Sequence, residues 1–358
     1  MKRTVQTALL LSLISTPAWA QVEFEPSMTQ DNSALVTQSG SDNTALINQR
    51  VSGLLNGQAL ASVEQNGDAN DAIVHQSSVT SPVSGDFDNA ATIRQLRDRG
   101  EAVIRQVHDY GSVGANTATI IQRSDDADAV LRQRGDDNTA IIRQKSAAFL
   151  PFARVEQNGV SNRAVVNQES EEGRVRVFQG RFSGEDGDSP ETNYSRAVVN
   201  SLGVRPDIYV EQFGFDQRAD ILENAMDGRI TVRMDGDFNT VDVTQLSTDG
   251  LVESVSTQGS FDNSAMILQE ASDVGSRTFI AQEGWSGSVD IVQKDVGGLG
   301  GDNLADVTQA GMGSMSADIY ATIVQDGGAN FARVHQAANY AQSDVIQSGM
   351  DMTAIVNQ

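Results

Sequence analysis

The chain of 358 residues contains no cysteine, has few basic residues and has no apolar run long enough to span a membrane. Because cysteine is missing, no disulfide can hold the fold, which must depend on hydrogen bonds and packing. Lys and Arg number 25 against 48 Asp and Glu, a net charge of −23. This acidic balance argues against nucleic-acid binding, which needs a basic surface.

Residues 1–20 have the three parts of a secretory signal peptide. Lys2 and Arg3 are basic, Ala8–Ile14 is a short apolar run, and Ala18-Trp19-Ala20 is typical of a cleavage site. We therefore expect a secreted mature chain that starts at Gln21. Removing two basic residues leaves 23 against 48 acidic ones, a net charge of −25.

The pattern Asn-x-Ala-x-(Ile/Val)-x-Gln recurs ten times. The copies are Asn32–Gln38, Asn43–Gln49, Asn70–Gln76, Asn89–Gln95, Asn116–Gln122, Asn138–Gln144, Asn162–Gln168, Asn263–Gln269, Asn303–Gln309 and Asn330–Gln336. Looser copies extend the series to 26 slots up to Gln358; Gln258 is one of them, and Ser201, Glu223 and Met234 are slots without Gln. Of the 25 gaps between slots, 16 are eleven residues, which indicates a repeat architecture.

Within each copy, Asn, Ala, Ile/Val and Gln occupy every second position, which is the period of a strand. Between copies, Gln-x-Gly-x-x-Asn predicts a tight turn, because Gly adopts positive φ and Asn or Asp closes turns. The turn glycines of the best copies are Gly40, Gly67, Gly135, Gly159 and Gly327. One such unit cannot bury its apolar face alone, so we predict an all-β fold, a β-solenoid of stacked strand–turn–strand rungs with cross-β repeats.

The inward Asn and Gln side chains are expected to stack on their equals in neighbouring rungs, each amide donating to one neighbour and accepting from the other. Such stacking satisfies polar groups that would otherwise be buried unpaired. The expected ladder residues are Asn43, Gln49, Asn70, Gln76, Asn89, Gln95, Asn116, Gln122, Asn138, Gln144, Asn162, Gln168, Asn263, Gln269, Asn303, Gln309, Asn330 and Gln336.

At this spacing and behind a signal peptide, the pattern Gln-x-Gly-x-x-Asn-x-Ala-x-x-x-Gln resembles the curlin repeat. The resemblance covers residues 32–358, and residues 21–31 form a short preceding segment without glycine. Curlin subunits are secreted bacterial proteins that polymerise outside the cell into amyloid fibres called curli, which serve biofilm matrix and adhesion. The curlin fold is a β-solenoid, in agreement with the prediction from the residues.

The resemblance implies a structural protein exported through the periplasm that forms homopolymer fibres at the cell surface. It implies as partners other curlin-type subunits and an outer-membrane secretion channel. It also places the stacking and assembly role on the amide slots, such as Asn43, Gln49, Asn138 and Gln144. Since Gln358 is the last residue, we expect an uncovered strand edge and end-to-end growth along the rung stack.

No nucleophile, phosphate-loop or zinc motif occurs, and the three histidines are not grouped as ligands. We therefore expect neither an enzyme nor a bound cofactor or metal ion. Gly297–Leu304 fits the calcium β-roll nonapeptide once, where a β-roll needs tandem copies. The alternative is a secreted β-solenoid adhesin that does not polymerise, with or without bound calcium.

Some outward positions of the predicted strands are apolar, notably Ile73, Val103, Ile141 and Val165. Two interpretations stay open for them. They can hold fibrils together side by side, or they can be present only because β-branched residues suit strands.

Overall fold

The computed structural model describes residues 8–13, 19–25, 31–52, 57–79, 87–108, 114–145, 151–169, 173–180, 195–201, 206–212, 216–224, 228–234, 239–245, 251–256, 264–270, 276–283, 287–294, 303–310, 319–337 and 341–358. All regular elements in these residues are strands, and none is a helix. The predicted all-β class is therefore confirmed. The stacked parallel strands are those of a β-solenoid.

Twenty-eight strands follow one another along the described residues. They are β1 Ala8–Leu13, β2 Trp19–Glu25, β3 Asp31–Ser39, β4 Thr44–Ser52, β5 Gly57–Asn66, β6 Asp71–Val79, β7 Phe87–Gln95, β8 Glu101–His108, β9 Thr117–Gln122, β10 Asp128–Asp136, β11 Thr139–Gln144, β12 Phe152–Val160, β13 Arg163–Gln168, β14 Arg174–Gln179, β15 Arg196–Ser201, β16 Asp207–Gln212, β17 Arg218–Glu223, β18 Arg229–Met234, β19 Thr240–Gln245, β20 Leu251–Ser256, β21 Ser264–Glu270, β22 Ser276–Glu283, β23 Gly287–Lys294, β24 Asn303–Ala310, β25 Ile319–Asp326, β26 Phe331–Gln336, β27 Gln342–Ser348 and β28 Thr353–Asn357.

The chain divides into two compact units, Met1–Glu171 with Gln179–Thr192, and Glu172–Phe178 with Asn193–Gln358. In the first unit, the odd strands β1 to β13 form one sheet in chain order, and the even strands β2 to β12 form the other. In the second unit, β15 to β27 and β14 to β28 do the same. Each strand pairs in parallel with the second strand after it, so two consecutive strands make one rung.

Equivalent positions of the repeat lie directly above one another. Ala140 pairs with Ala118 and Ala164, and Gln144 pairs with Gln122 and Gln168. The register therefore turns each position of the sequence motif into a column of like residues. A shift by one residue would turn the apolar face of a strand outward, which is why the register is strongly specified.

Burial alternates along the strands as the motif predicts. In β11, Ala140, Ile142 and Gln144 are fully buried, while Thr139, Ile141 and Arg143 are half-buried on the outer face. Columns of Ala and of Ile or Val fill the space between the two sheets of a unit. Burying an Ile or Val side chain stabilises a fold by about 1.5–3 kcal/mol, so these columns supply the apolar core.

The turn glycines have the backbone conformation that the motif requires. Gly135 has a φ of 98° and Gly159 a φ of 117°. A Cβ on Gly135 would lie 2.2 Å from the carbonyl oxygen of Gly159 in the next rung. Two residues after each, Asp137 and Ser161 also have positive φ, so the corner needs a second left-handed residue that need not be Gly.

Strands β3 to β28 follow the 26 predicted slots with one correction. Ser256 of β20 is in register with Gln282, so the slot predicted at Gln258 was wrong by two residues. Gln245 and Ser256 are eleven residues apart, which shows that the two extra residues follow β20 instead of preceding it. Two more strands, β1 and β2, lie before the first slot and pair with β3 and β4.

Candidate functional site in the stacked amides

The Gln side chains at the strand ends form two continuous columns in the first unit. In the odd-strand column, Gln38 Nε2 donates to Gln65 Oε1 at 2.7 Å, and Gln65 donates to Gln95 at 2.9 Å. Gln122 continues this column by donating to Gln144 at 3.1 Å. Every such amide is nearly inaccessible to solvent.

The even-strand column of the first unit repeats the geometry. Gln49 donates to Gln76, which donates to Gln106, both at 2.8 Å. Gln133 then donates to Gln157 at 2.9 Å. In each bond the donor lies in the earlier rung and the acceptor in the later one, so the column has a direction.

The Gln columns of the second unit have the same direction, but Ser201, Glu223, Met234 and Ser256 occupy Gln positions and interrupt them. Gln293 donates to Gln325 at 2.7 Å, and Gln325 to Gln347 at 2.8 Å. In the even strands, Gln309 donates to Gln336 at 3.0 Å. A chain of aligned amides polarises its members, so each bond strengthens its neighbours.

Each Gln also closes the corner between the two strands of a rung. Gln65 Nε2 donates to the backbone carbonyls of Asn70 and Thr44, both at 2.9 Å. Asn70 lies just before β6 and Thr44 starts β4, so one amide connects the odd strand to two even strands. The Gln at this slot therefore holds the two sheets together at their edge.

The Asn side chains differ from the prediction, because they do not form an amide-to-amide ladder. Asn138 Oδ1 accepts the backbone N–H of Asn162 at 3.0 Å. Its Nδ2 donates to the carbonyl of Gly159 in the next turn at 2.9 Å. The shorter Asn side chain lies beside the turn backbone, so it satisfies backbone groups where the longer Gln reaches another amide.

The structure places the predicted ladder residues in separate columns. Buried in the odd-strand columns are Gln95, Gln122, Gln144, Gln168, Asn89, Asn116, Asn138 and Asn162; buried in the even-strand columns are Gln49, Gln76, Gln309, Gln336, Asn43, Asn70, Asn303 and Asn330. Asn263 lies outside the described residues. Gln269 is placed in β21, and its side chain is outside the description.

Three inward residues of the second unit lie at an Asn position of the repeat without matching the sequence motif. Ser195, Gln217 and Asn239 are buried immediately before their strands, at the position that Asn has elsewhere. The signal was present, since each lies six residues before a slot, at Ser201, Glu223 and Gln245 respectively. The repeats around these slots do not match the complete motif. The motif therefore did not predict that these three residues lie at the buried Asn position.

The even-strand column of the first unit begins at Gln49. In the strand before it, the position in register with Gln49 is Phe24, which offers no amide. Gln49 Oε1 is buried and, within the described residues, has no hydrogen-bond donor. The column therefore starts with an unpaired acceptor, Gln49 Oε1, which a donor in the preceding rung would satisfy.

The columns of the second unit end at its last rung, β27 and β28. Val356 is only half-buried, whereas Val334, in register with it in the preceding rung, is fully buried. Gln358 accepts from Gln336 at 3.3 Å and donates to the backbone of Gln342 at 3.0 Å. Within the described residues, β28 has a strand neighbour on one side only, which leaves its inner side chains partly uncovered.

Other kinds of site are not found in the part of the chain that the structure describes. No cluster of three metal-ligating side chains occurs there. The calcium-type residues Gly297–Asp302 lie outside the described ranges. The same part of the chain contains no helix of the length and apolarity that crossing a membrane requires.

Comparison with models of known protein families finds no match, and comparison with curated proteins finds no significant match either. The class of protein is therefore defined by its fold and by the buried amide columns.

Proposed function

We propose that this chain is a secreted structural protein that assembles end to end into extracellular amyloid fibres of the curli type, for biofilm matrix and adhesion. The observation that carries the proposal is the pair of directional Gln columns inside a parallel strand stack. In-register parallel strands with stacked amides are the bonding pattern of amyloid, here built within one molecule. The curlin-like spacing of the repeat supports the same function.

The even-strand columns of the two units begin and end with complementary groups. The column of the first unit begins with the acceptor Oε1 of Gln49, and that of the second unit ends with the amide of Gln358. Gln49 and Gln358 both belong to the even-strand series. In the proposed contact, β28 of one copy therefore lies next to β4 of another. A contact between unlike ends does not close on itself and therefore produces a filament.

Removal of the predicted signal peptide fits this scheme. Cleavage after Ala20 removes β1 and the first two residues of β2, which pair with β3 and β4 in the structure. The edge of β3 is then uncovered, whereas Gln21–Glu25 still pair with Leu46–Arg50 of β4 and must be displaced before the last rung of another copy can dock there. Unpaired edges of parallel strands readily accept a further strand.

The first experiment follows thioflavin T fluorescence of purified Gln21–Gln358 diluted from denaturant, with and without preformed seeds. A lag that seeds abolish supports templated fibre growth. A flat trace from a folded, β-rich monomer overturns the proposal and leaves the secreted solenoid adhesin as the better account.

A matched pair of variants tests the end-to-end contact. Gln358→Leu removes the terminal amide, and Gln342→Leu makes the same change at an exposed, outward position of the last rung. Losing one hydrogen bond of about 1 kcal/mol predicts roughly fivefold slower seeded elongation for Gln358→Leu only. Equal rates for the two variants would argue against this docking mode.

A further inference from the structure

One outer face of the first unit carries its charges in separate columns. It is formed by the outward side chains of the even strands β4, β6, β8 and β10, and we call it the striped face. Its middle column is apolar over all four strands and consists of Leu46, Ile73, Val103 and Val130. These side chains are half-buried by their neighbours above and below, and the rest of their surface faces outward.

An acidic column lies on one side of the apolar column. Asp71, Glu101 and Asp128 are in register on successive strands, about 4.8 Å apart. Like charges opposite each other in a sheet destabilise it. Partial burial and the nearby turn residue Asp126 raise the pKa of Asp128.

A basic column lies on the other side, where His75, Arg105 and Arg132 are in register. Four residues separate the two charged columns along each strand, a distance of about 13 Å, so they cannot pair within one molecule. Arg132 bonds Glu156 of the following even strand at 3.2 Å, which ends the basic column. Arg105 makes no ion pair with any described residue and is exposed.

The odd-strand sheet of the same unit has no such pattern. Glu64 and Arg94 are in register there and form an ion pair of 2.7 Å. Ile141 and Val165 are adjacent, but Thr119 of the preceding odd strand, β9, interrupts their column. The apolar outward residues noted in the sequence thus fall on two different faces, and only Ile73 and Val103 belong to the striped one.

We propose that the striped face binds the striped face of a second copy, side by side, with the two strand stacks parallel. A two-fold axis along the stacking direction places each acidic column opposite the basic column of the other copy, with Glu101 facing Arg105. A two-fold axis across the stack would oppose acid to acid, so antiparallel pairing is disfavoured. The apolar columns meet in the middle of this contact.

The size of the face determines where the pairing occurs. Four strands at about 4.8 Å and six residues at about 3.3 Å give roughly 400 Å² per copy. That is about half of the ~800 Å² that each partner buries in a stable complex. Single molecules therefore do not pair stably, whereas filaments do, because the contact recurs once per molecule. In this respect the inference rests on the proposed function.

The test compares preformed, separately seeded filaments of Glu101→Arg and of Arg105→Glu. Each single change opposes like charges, so we expect at least about a fivefold drop in the fraction of paired filaments in electron micrographs. Mixing the two kinds of filament restores opposite charges at both contacts, so pairing should return to within about twofold of the unaltered protein. The double variant should pair with itself.

The control is Asp88→Arg, which makes the same charge change at an exposed position of the odd-strand sheet and should leave pairing unaltered. Single variants that bundle like the unaltered protein, or mixtures that stay single, overturn the lateral interface while filament growth stands. If the unaltered protein forms no filaments at all, the proposed function fails and this inference fails with it.

Discussion

At the scale of single residues, Gln is the side chain that the fold depends on most. Its side chain is long enough to bond both the amide of the next rung and the backbone of the other sheet. Gln65, for example, donates to Gln95 Oε1 and to the carbonyl of Thr44. Asn, one methylene shorter, bonds the turn backbone instead. A buried amide is tolerated at these slots because its donors and acceptors are satisfied along the stack.

Replacing one amide in the middle of a column tests this account. Gln122→Leu keeps the volume approximately but leaves Gln144 Oε1 without the donor that now lies at 3.1 Å. A buried acceptor without a partner costs about 1–3 kcal/mol, so the free energy of unfolding should fall by roughly that amount. Urea titration followed by circular dichroism, at concentrations that keep the chain monomeric, measures it.

The control is Arg123→Leu, the same new side chain at the exposed neighbouring position. Surface changes of this kind alter stability by less than about 0.5 kcal/mol. Equal losses of unfolding free energy in the two variants would show that the amide hydrogen bonds of the column do not stabilise the fold.

At the scale of elements, the corner between strands restricts the sequence as strongly as the strands do. Gly40, Gly67, Gly135 and Gly327 all have positive φ, and a Cβ on any of them would meet a backbone atom of the next rung within 2.5 Å. Both the backbone conformation and the stacking therefore require Gly. In a turn without a rung above it, only the conformation would require Gly.

Gly349 in the last turn separates these two requirements. Its φ is 140°, but the atom closest to a Cβ added at this residue would be Met352 Sδ at 3.3 Å. Gly135→Ala should therefore lose at least about 2 kcal/mol more stability than Gly349→Ala, since both bear the conformational cost of about 1–3 kcal/mol. Thermal unfolding of the two variants measures the difference, and equal values would contradict it.

The same substitution informs end-to-end growth. Because the Cβ direction at each turn Gly points toward the following rung, Gly349→Ala places a methyl group where the next copy would dock. Seeded elongation of Gly349→Ala should therefore slow down by more than its loss of folding stability alone would cause.

At the scale of the whole molecule, charge opposes the assembly that the strand edges favour. Without the predicted signal peptide the chain has 23 basic against 48 acidic residues, a net charge of −25, and every copy added to a filament brings that charge close to others. Turn aspartates such as Asp68 and Asp98 stack on one another, with Asp98 Oδ1 accepting the backbone N–H of Asp68 at 2.8 Å. Their carboxylates stabilise the turns and repel neighbouring copies at the same time.

Assembly should therefore depend on ionic strength. The Debye length falls from about 30 Å at 0.01 M to about 8 Å at 0.15 M, so exposed charges on adjacent copies are screened over that range. We expect seeded elongation to become several-fold faster as sodium chloride rises from 0.01 to 0.15 M. A rate that is constant or falls would contradict the electrostatic account.

A divalent cation at matched ionic strength is the control. Pure screening predicts similar rates for sodium and calcium salts at equal ionic strength. A much larger effect of calcium would point to specific binding and would favour the calcium-dependent alternative.

Much of this architecture follows from the sequence, because each repeat contains the local patterns that define its own strand and turn. The two-residue period defines the strands, Gly and Asn define the corners, and the eleven-residue spacing defines the slots. The error at Gln258 arose where one turn is two residues longer, since spacing alone does not show on which side of a strand an insertion lies. Ser195, Gln217 and Asn239 were missed because they do not match the motif.

Only the tertiary structure decided which strands are neighbours. Pairing of each strand with the second one after it places Asp71, Glu101 and Asp128 in one column, although 30 and 27 residues separate them along the chain. It also gives the Gln columns one direction and assigns the Asn side chains to the turn backbone. These properties arise from contacts between rungs, whereas the sequence by itself determined the contents of each rung through local backbone preferences and burial.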